Sequence, residues 1–224
     1  MRPHGMTRVH GPSPADADAS VQPGHYRPVT RTLAEILAEA GVVAIRFGFK
    51  SAKSIDRRML DRCRGFGMQP HYLVHGEPEI AAWREQILAT QGRFVIEHMG
   101  YPQVDRGLDD PCFRFVLECL DTGRCWVKLS PRCSAQPTVP FSDVLPFVHA
   151  LVDKAPDRLL WGSDWPHPNY FNPMPNDADL IDLMLEWAPD EGVRRRIMVD
   201  NPQALFSFPD ARATEQREKK HASR

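Results

Sequence analysis

The sequence predicts an α/β protein built on a parallel sheet of the (β/α) TIM-barrel type. Short apolar runs alternate with amphipathic stretches along most of the 224 residues. Parallel neighbours in a sheet need a helical crossover, so this alternation favours repeated βα units. Several strand runs also begin apolar and turn polar at their carboxyl ends, which is where barrel enzymes hold their chemistry.

Helices and strands are expected in regular order from Thr30 onward. TRTLAEILAEAG (30–41) places its apolar residues on one helical face and ends in glycine, and VVAIRFGF (42–49) follows as a β-rich run. The later helix and strand pairs are SIDRRMLDRCRGFG with PHYLVH, PEIAAWREQILATQG with RFVIEHMG, DPCFRFVLECLDTG with CWVKLS, and SDVLPFVHALVDKAPD with RLLWGSDW. Two helical stretches, ADLIDLMLEWAP and EGVRRRIMVDNPQALFSF, complete the order.

The expected organisation is one domain with two extensions. Residues 1–28 are interpreted as an N-terminal strand remnant and a loop, because 11–28 are rich in proline, glycine and small polar residues. Residues 29–208 form the barrel domain, and 209–224 are a charged flexible tail.

Composition argues against several classes of partner. The 28 basic and 29 acidic residues leave a net charge of −1, so no broad field attracts nucleic acid or an anionic membrane. No run approaches the ~20 apolar residues of a membrane span, and the first residues lack the apolar stretch of a signal peptide. The five cysteines are odd in number and contain no C-x-x-C pair, so a reducing cytoplasm fits best.

Two polar side chains at strand ends are candidates for chemistry. Asp164 follows an apolar strand in LLWGSDWPHP and precedes an aromatic residue and two prolines, which predicts a rigid strand end. His98 lies at the end of FVIEHMG, where an imidazole can polarise a carbonyl or bind a metal. The alternatives are an aspartate that caps the next turn and a histidine that is satisfied in the core.

Four segments carry a resemblance to a known family. FVIEHMGYP, WVKLS followed by Arg132, RLLWGSDWPHP and IMVDNPQALFSF resemble, in order and at similar separations, the second half of amidohydrolase-superfamily barrels. The branch that they resemble most contains 2-pyrone-4,6-dicarboxylate lactonase. The resemblance extends from about Val42 to Phe208, and WGSDWPHP is its most specific element.

The resemblance implies a role for each matched residue. Asp164 corresponds to the family's general base on the attacking water, and His98 to the histidine that polarises the scissile carbonyl. Both roles agree with the chemistry of a carboxylate and an imidazole.

Substrate-binding residues follow from the same resemblance. Arg46 and Arg132 match arginines that hold substrate carboxylates, for which a guanidinium fork is well shaped. Tyr72 or its neighbour His71 is expected to line the pocket, and the frame of PHYLVH leaves open which of them points inward. His167 is a further candidate, although a histidine between two prolines can also serve only to shape the loop.

The family's opening His-x-His motif is missing. Met6 and Arg8 stand where its histidines belong, and the nearby His4 and His10 are not spaced as a metal pair. The expectation is therefore a site without a cofactor, and one divalent metal such as zinc is the alternative.

The chain is also short for a closed barrel. YRPVTRTLAEILAEAG resembles the family's first helix, yet VAIRFGF resembles its fourth strand, as though two βα units between them were absent. About six strand signals remain where the closed barrel needs eight. An open barrel exposes strand edges and inward-facing apolar side chains unless a loop, a partner subunit or a rearranged strand covers them. A homo-oligomer is one such remedy.

The first functional hypothesis is a hydrolase acting on a small carboxylated lactone or cyclic ester. The second is a catalytically impaired remnant that acts as a binding or interaction protein, because the His-x-His motif and two units are absent. The third, a metal-dependent decarboxylase, is least favoured because it depends most on first-strand ligands.

Overall fold

The computed structural model describes residues 18–21, 31–48, 55–168 and 173–208. Within them, six strands form one parallel sheet whose spatial order follows the chain. The strands are β1 (Asp18–Val21), β2 (Ala44–Gly48), β3 (Gln69–Leu73), β4 (Phe94–Ile96), β5 (Cys125–Leu129) and β6 (Leu159–Trp161).

In the ranges that the structure describes, helices α1 to α5 connect successive strands and four shorter helices follow β6. The helices are α1 (Arg31–Glu39), α2 (Arg57–Gly65), α3 (Glu77–Leu88), α4 (Pro111–Asp121), α5 (Leu145–Lys154), α6 (Asp177–Asp182), α7 (Met184–Trp187), α8 (Glu191–Arg195) and α9 (Asn201–Phe206). A π-helical turn, Arg196–Asp200, joins α8 to α9. The predicted α/β class and the order of its units are confirmed.

Local sequence sets the start of two of these helices. The Asp56 carboxylate accepts hydrogen bonds from the backbone amides of Arg58 and Met59, which satisfies otherwise unpaired donors at the start of α2. Asp110 caps α4 in the same way, and proline occupies the first helical position after it. In both cases the cap lies two or three residues before the first buried residue of the helix, Met59 in α2 and Cys112 in α4.

The first strand corrects the interpretation of residues 11–28 as loop throughout. Residues 18–21 pair in parallel register with β2, from Asp18 opposite Ala44 to Val21 opposite Phe47. Proline and glycine flank these four residues without interrupting them, which is why composition over the longer window concealed the strand. β1 is hydrogen-bonded directly to β2, so no strand lies between them in the sheet. This pairing is what we expect if two βα units are absent between these two strands.

Alternate residues of the strands enter two separate apolar clusters. Phe94 and Ile96 of β4 belong to the main core between the sheet and its helices, whereas Val95 lies in a second cluster with Trp126 and Leu160. Successive side chains of a strand point to opposite faces, so this second cluster lies on the inner face of the sheet. The inner face is therefore apolar where Val95, Trp126 and Leu160 lie, and within the described residues no pairing joins β1 to β6 to enclose it.

Helix α9 covers this inner face. Leu205 is buried in the second cluster, and Phe206 packs against it. Two polar contacts fix the helix there: the Gln69 side chain donates to the Leu205 carbonyl oxygen over 2.5 Å, and Arg93 donates to the Ala204 carbonyl oxygen over 2.6 Å. Helix α9 thus provides the cover that the sequence had led us to expect from a loop, a strand or a second subunit.

None of the helices in the described ranges is both long and apolar enough to pass through a bilayer.

Replacement of Leu205 by alanine tests the covering role of α9. Because Leu205 is 2% exposed within an apolar cluster, Leu205→Ala should lower the free energy of unfolding by about 2–5 kcal/mol. Urea denaturation monitored by circular dichroism measures this change. The matched control is Leu185→Ala, whose side chain is 60% exposed and whose loss should cost less than about 0.5 kcal/mol. Equal stability of the two variants would show that α9 does not cover the sheet.

Candidate active site

A cavity of about 690 Å³ opens where the strands present their polar residues. Arg46 comes from β2, Glu97 and His98 from the turn after β4, Lys128 from β5 and Asp164 from the loop after β6. Residues of that loop and of the π turn and α9 complete the walls. This placement at the carboxyl end of a parallel sheet is the one that barrel enzymes use.

His98 is held in a tight turn. The chain passes from β4 into a short turn, Glu97–Gly100, in which His98 adopts φ 49°. A Cβ at Gly100 would lie 2.5 Å from a methyl carbon of Val116, so only glycine lets the turn pack this closely against α4. A left-handed conformation at a histidine costs of order 1–3 kcal/mol, and such strain is concentrated at functional sites.

The His98 imidazole is buried and neutral. It is 4% exposed, and burial lowers its pKa from 6.5 to about 3, against the opposing effect of Glu97. Its Nδ1 lies 3.0 Å from the Ser130 hydroxyl oxygen, which also accepts the backbone amide of Arg132 over 3.1 Å. Its Nε2 lies 3.5 Å from Oδ1 of Asp164.

Asp164 faces His98 from the loop after β6. Its backbone is also left-handed, with φ 73°, and its carbonyl oxygen accepts the amide of His167 over 2.6 Å. Burial raises the pKa of its carboxyl above the ordinary 3.8, although Arg132, His167 and Arg46 act in the opposite direction. The carboxylate is therefore a stronger base than a solvent-exposed aspartate.

Arg132 lies beside Asp164 and does not line the cavity wall. Its Nη1 is 3.5 Å from Oδ2 of Asp164, and its Nη2 donates to the Pro168 carbonyl oxygen over 2.7 Å. The guanidinium also contacts the Tyr101 hydroxyl, although burial is the larger influence there and raises the pKa of that phenol. Arg132 is thus engaged by the protein, and Arg46, which lies 3.9 Å from Glu97, lines the cavity.

Glu97 is the residue that sequence reasoning missed. It has no exposed surface, yet Lys128 Nζ lies 2.9 Å from both of its oxygens, His71 Nδ1 lies 2.7 Å from Oε1, and Arg46 Nε lies 3.9 Å from the same oxygen. Burial raises the pKa of Glu97, but Lys128, His71 and Arg46 together outweigh burial and hold it well below 4.5. The sequence did contain a signal for this pair: each of the apolar runs FVIEHMG and CWVKLS holds one charged residue, Glu97 and Lys128.

The structure corrects the placement of Tyr72. Its side chain is fully buried in the main core, where its ring packs against Phe47 and Phe94 and its hydroxyl lies 2.8 Å from that of Thr90. The preceding residue, His71, lies on the opposite face and reaches Glu97. Because adjacent residues of a strand point in opposite directions, His71 lies on the face of the sheet that carries Glu97, but neither His71 nor Tyr72 is among the residues that line the cavity.

His167 also lies away from the cavity lining. Its ring is 6% exposed, and its Nε2 is 3.5 Å from Oδ1 of Asp177 in α6. Its backbone amide shapes the turn at Asp164, which is the loop-forming role considered above.

The described residues offer few donors for a divalent metal at this site. His98 and Asp164 lie 3.5 Å apart, and the described ranges contain no group of three or more His, Cys, Asp or Glu side chains placed to hold one ion. Arg46, Lys128 and Arg132 add positive charge around the pair, which disfavours a dication. The positions of the absent His-x-His motif, with His4 and His10, lie outside the described residues.

The fold and the cavity define a protein of the (β/α)-barrel class whose polar site lies at the carboxyl ends of its strands. The chain belongs to the amidohydrolase family, whose family model, described as Amidohydrolase, matches residues 11–208.

Named relatives come from the lactone-processing branch of this family. The 4-sulfomuconolactone hydrolase of Rhizobium radiobacter is 34% identical over 190 residues, which cover 81% of this chain and 64% of the relative. The 2-pyrone-4,6-dicarboxylate hydrolase of Comamonas testosteroni is 31% identical, with 76% and 61% covered. The chain thus spans less than two thirds of the length of these curated relatives.

A solved structure shares the fold. A crystal structure from Acinetobacter baumannii, described as a probable 2-pyrone-4,6-dicarboxylic acid hydrolase with citric acid bound, superposes with a TM-score of 0.68. It is 22% identical, and the match covers 80% of this chain and 69% of that one. At this identity the likeness shows the fold alone.

Glu97 should make the stability of the protein depend on pH. Its folded pKa lies below its unfolded value near 4.5, so its stabilising effect is complete above 4.5 and is lost as pH falls towards the folded pKa. Glu97→Gln should therefore lower the free energy of unfolding by about 3–5 kcal/mol at pH 7, and this deficit should shrink in acid.

Urea denaturation of both proteins between pH 7 and pH 3 measures the deficit. The matched control is Glu118→Gln, because Glu118 pairs with Arg84 on the surface and should contribute less than about 1 kcal/mol. A deficit that stays constant with pH would show that Glu97 is not a buried, paired carboxylate.

Proposed function

We propose that this protein hydrolyses a small lactone or cyclic ester that carries acidic groups. The observation that carries the proposal is the 3.5 Å separation between His98 Nε2 and Asp164 Oδ1 in a cavity with excess positive charge. This separation exceeds a normal hydrogen bond, and it lets the two groups act on different atoms of one reacting centre.

His98 acts as the hydrogen-bond donor to the scissile carbonyl. Because the Ser130 oxygen already accepts an amide proton from Arg132, its own proton is available for Nδ1 of His98. That arrangement favours the tautomer with its proton on Nε2, the nitrogen nearest Asp164. Because burial lowers the pKa of His98 to about 3, the donor is neutral at pH 7, and it stabilises the oxyanion that forms when the carbonyl is attacked.

Asp164 acts as the general base. Its carboxylate takes a proton from a water molecule, whose oxygen forms a bond to the lactone carbonyl carbon. When the tetrahedral intermediate collapses, the bond between that carbon and the ring oxygen breaks, and the proton returns from Asp164 to the leaving oxygen. Water is added across one ester bond and no other reactant is needed. No step uses a metal.

Positive charge in the cavity selects the substrate. Arg46 and Lys128 line the cavity and Arg132 lies beside Asp164, so three cations face the carboxylates of Glu97 and Asp164 and leave one positive charge in excess. An acidic substrate is attracted by this excess, and a guanidinium binds a carboxylate through two hydrogen bonds. The names of the two lactone-hydrolysing relatives support the same substrate class.

Replacement of Asp164 tests the proposal. Asp164→Asn keeps the shape of the side chain but removes the base, so kcat should fall by about 10²–10⁴ while the fold persists. Ring opening of 4-sulfomuconolactone and of 2-pyrone-4,6-dicarboxylate, followed by absorbance with and without EDTA or added zinc, measures the effect.

Asp182→Asn, at an exposed aspartate of α6, is the matched control and should retain wild-type turnover. Turnover by the wild type that does not depend on Asp164 would contradict the mechanism. Absence of any turnover by the wild type would favour a binding protein instead.

Of the two proposed catalytic groups, only Asp164 should change its protonation state in the pH range where kcat/KM is measured. Its raised pKa means that kcat/KM should fall as pH decreases through a value above 3.8, because the protonated carboxyl cannot accept a proton from water. His98, with its pKa near 3, should add no inflection near 6.5. Initial rates between pH 4 and pH 9 check this. A change in kcat/KM near pH 6.5 that is absent from the His98→Gln variant would instead show that His98 titrates in the active range.

A further inference from the structure

The turn that carries His98 is left-handed over four consecutive residues. His98, Met99, Gly100 and Tyr101 have φ angles of 49°, 54°, 77° and 52°. Residues other than glycine normally visit this region singly, because each pays a steric cost for its Cβ. Such conformations persist only where the surrounding contacts hold them, and they are concentrated at functional sites. The strain at Tyr101, the last residue of the turn, therefore points to a function for this side chain.

The ring of Tyr101 packs against two histidines. Its centroid lies 5.1 Å from that of His98, with the two planes at 68°, so the rings meet edge to face. The ring of His75, which follows β3, lies 4.0 Å from Tyr101 at an angle of 33°. These contacts restrict rotation of the phenol, and the phenol in turn restricts rotation of the His98 imidazole.

The hydroxyl of Tyr101 contacts the guanidinium of Arg132. A guanidinium has no acceptor, so the tyrosine oxygen accepts an N–H from it. Arg132 also donates to the Pro168 carbonyl oxygen over 2.7 Å and lies 3.5 Å from the Asp164 carboxylate. Burial raises the pKa of the Tyr101 phenol, so the hydroxyl stays neutral and does not compete with Asp164 for the positive charge. The guanidinium is thus held by three groups, and Tyr101 is one of them.

Tyr101 therefore links the two groups that face each other across the cavity. Its ring contacts His98, and its hydroxyl contacts Arg132, which pairs with Asp164. Ser130 adds a second link, because its hydroxyl lies 3.0 Å from Nδ1 of His98 and accepts the backbone amide of Arg132 over 3.1 Å. The 3.5 Å separation between His98 and Asp164 thus depends on contacts that converge on Tyr101 and Arg132.

We infer that Tyr101 is a positioning residue that holds Arg132 against Asp164. Through this contact and its ring contact with His98, it fixes the distance between the two proposed catalytic groups. The inference rests on the proposed function, because it adds a residue to that same site. Tyr101 is not among the residues that line the cavity, so it acts through its neighbours and not on the substrate. Supporting contacts of this kind keep reacting groups in productive geometry.

The titration of the Asp164 carboxyl tests the inference without turnover. The charged and titratable groups that face this carboxyl are Arg132, His167, Arg46, Glu97 and the neutral His98. Burial raises the pKa of Asp164, and Arg132 is the largest of the influences that lower it. A guanidinium that loses its position should therefore let this pKa rise further.

Tyr101→Phe removes only the hydroxyl and keeps the ring. Carbon-13 NMR of protein labelled at the aspartate carboxyls measures the titration, and the Asp164 signal is assigned by its loss in Asp164→Asn. The pKa of Asp164 should be higher in Tyr101→Phe than in wild type, and higher still in Arg132→Met. The matched control is Tyr72→Phe, which removes a hydroxyl that bonds to Thr90 in the main core and should leave the titration unchanged.

The same tyrosine change in the Arg132→Met protein separates positioning from a general effect on the fold. If Tyr101 acts through Arg132, Tyr101→Phe should not move the Asp164 titration any further in this background. Arg132→Lys takes the place of Arg132→Met if that variant does not fold, because lysine lacks the planar fork that three acceptors require. An equal shift in both backgrounds would overturn the inference, as would Tyr101→Phe with no shift or with a shift to lower pH.

Kinetics separate this inference from the proposed function. With 2-pyrone-4,6-dicarboxylate, Tyr101→Phe should lower kcat about tenfold and change KM less than about twofold, and the acid fall in kcat/KM should move to higher pH. A wild type that opens no lactone, yet in which Tyr101→Phe raises the pKa of Asp164, removes the hydrolase and keeps the positioning role. Lactone turnover in a protein whose Asp164 titration does not respond to Tyr101→Phe keeps the hydrolase and removes that role.

Discussion

The site depends on a single carboxylate that the fold removes entirely from water. Burial of an ionised glutamate costs several kcal/mol unless partners compensate it. Lys128 and His71 lie within hydrogen-bond distance of Glu97, and Arg46 lies 3.9 Å from it. These partners come from β5, β3 and β2, so the ion cluster ties three strands together at the cavity. His98 directly follows Glu97, and the turn that buries the carboxylate also directs the imidazole towards Asp164.

The covering helix and the site form one continuous structure. A closed barrel fills its interior with side chains from all eight strands, whereas this six-stranded sheet receives Leu205 and Phe206 from α9. The Phe206 ring lies 6.0 Å from the ring of His71, the same histidine that reaches Glu97. Gln203 and Phe208 then continue from the helix into the cavity wall. The element that stabilises the inner face therefore also shapes the pocket.

Much of the fold and part of the site could be predicted from the sequence. Alternation of apolar runs with amphipathic stretches located β2 to β6 and their connecting helices, because the two periodicities differ. The strand at Asp18–Val21 was concealed, because four residues between prolines carry no such periodicity. The covering role of α9 was also beyond prediction, since its apolar stripe does not reveal which surface it meets.

Side-chain direction was the main limit at the site. The motifs brought Asp164 and His98 into consideration, and the fold places them together. A strand of five residues such as β3 has apolar or aromatic side chains on both faces, so Tyr72 could not be told from His71 until the register was known. Glu97 and Lys128 were overlooked because each is a single charge within an apolar run, and only the structure shows that the two side chains pair.

The central claim is that His98 and Asp164 direct a water molecule at a lactone carbonyl. Ring opening of 2-pyrone-4,6-dicarboxylate in ¹⁸O-enriched water, with mass spectrometry of the product, tests this claim most directly. The account predicts that the product forms and carries one ¹⁸O atom in its newly formed carboxylate. Ring opening without ¹⁸O in that carboxylate, or a lactone that stays closed, would contradict it.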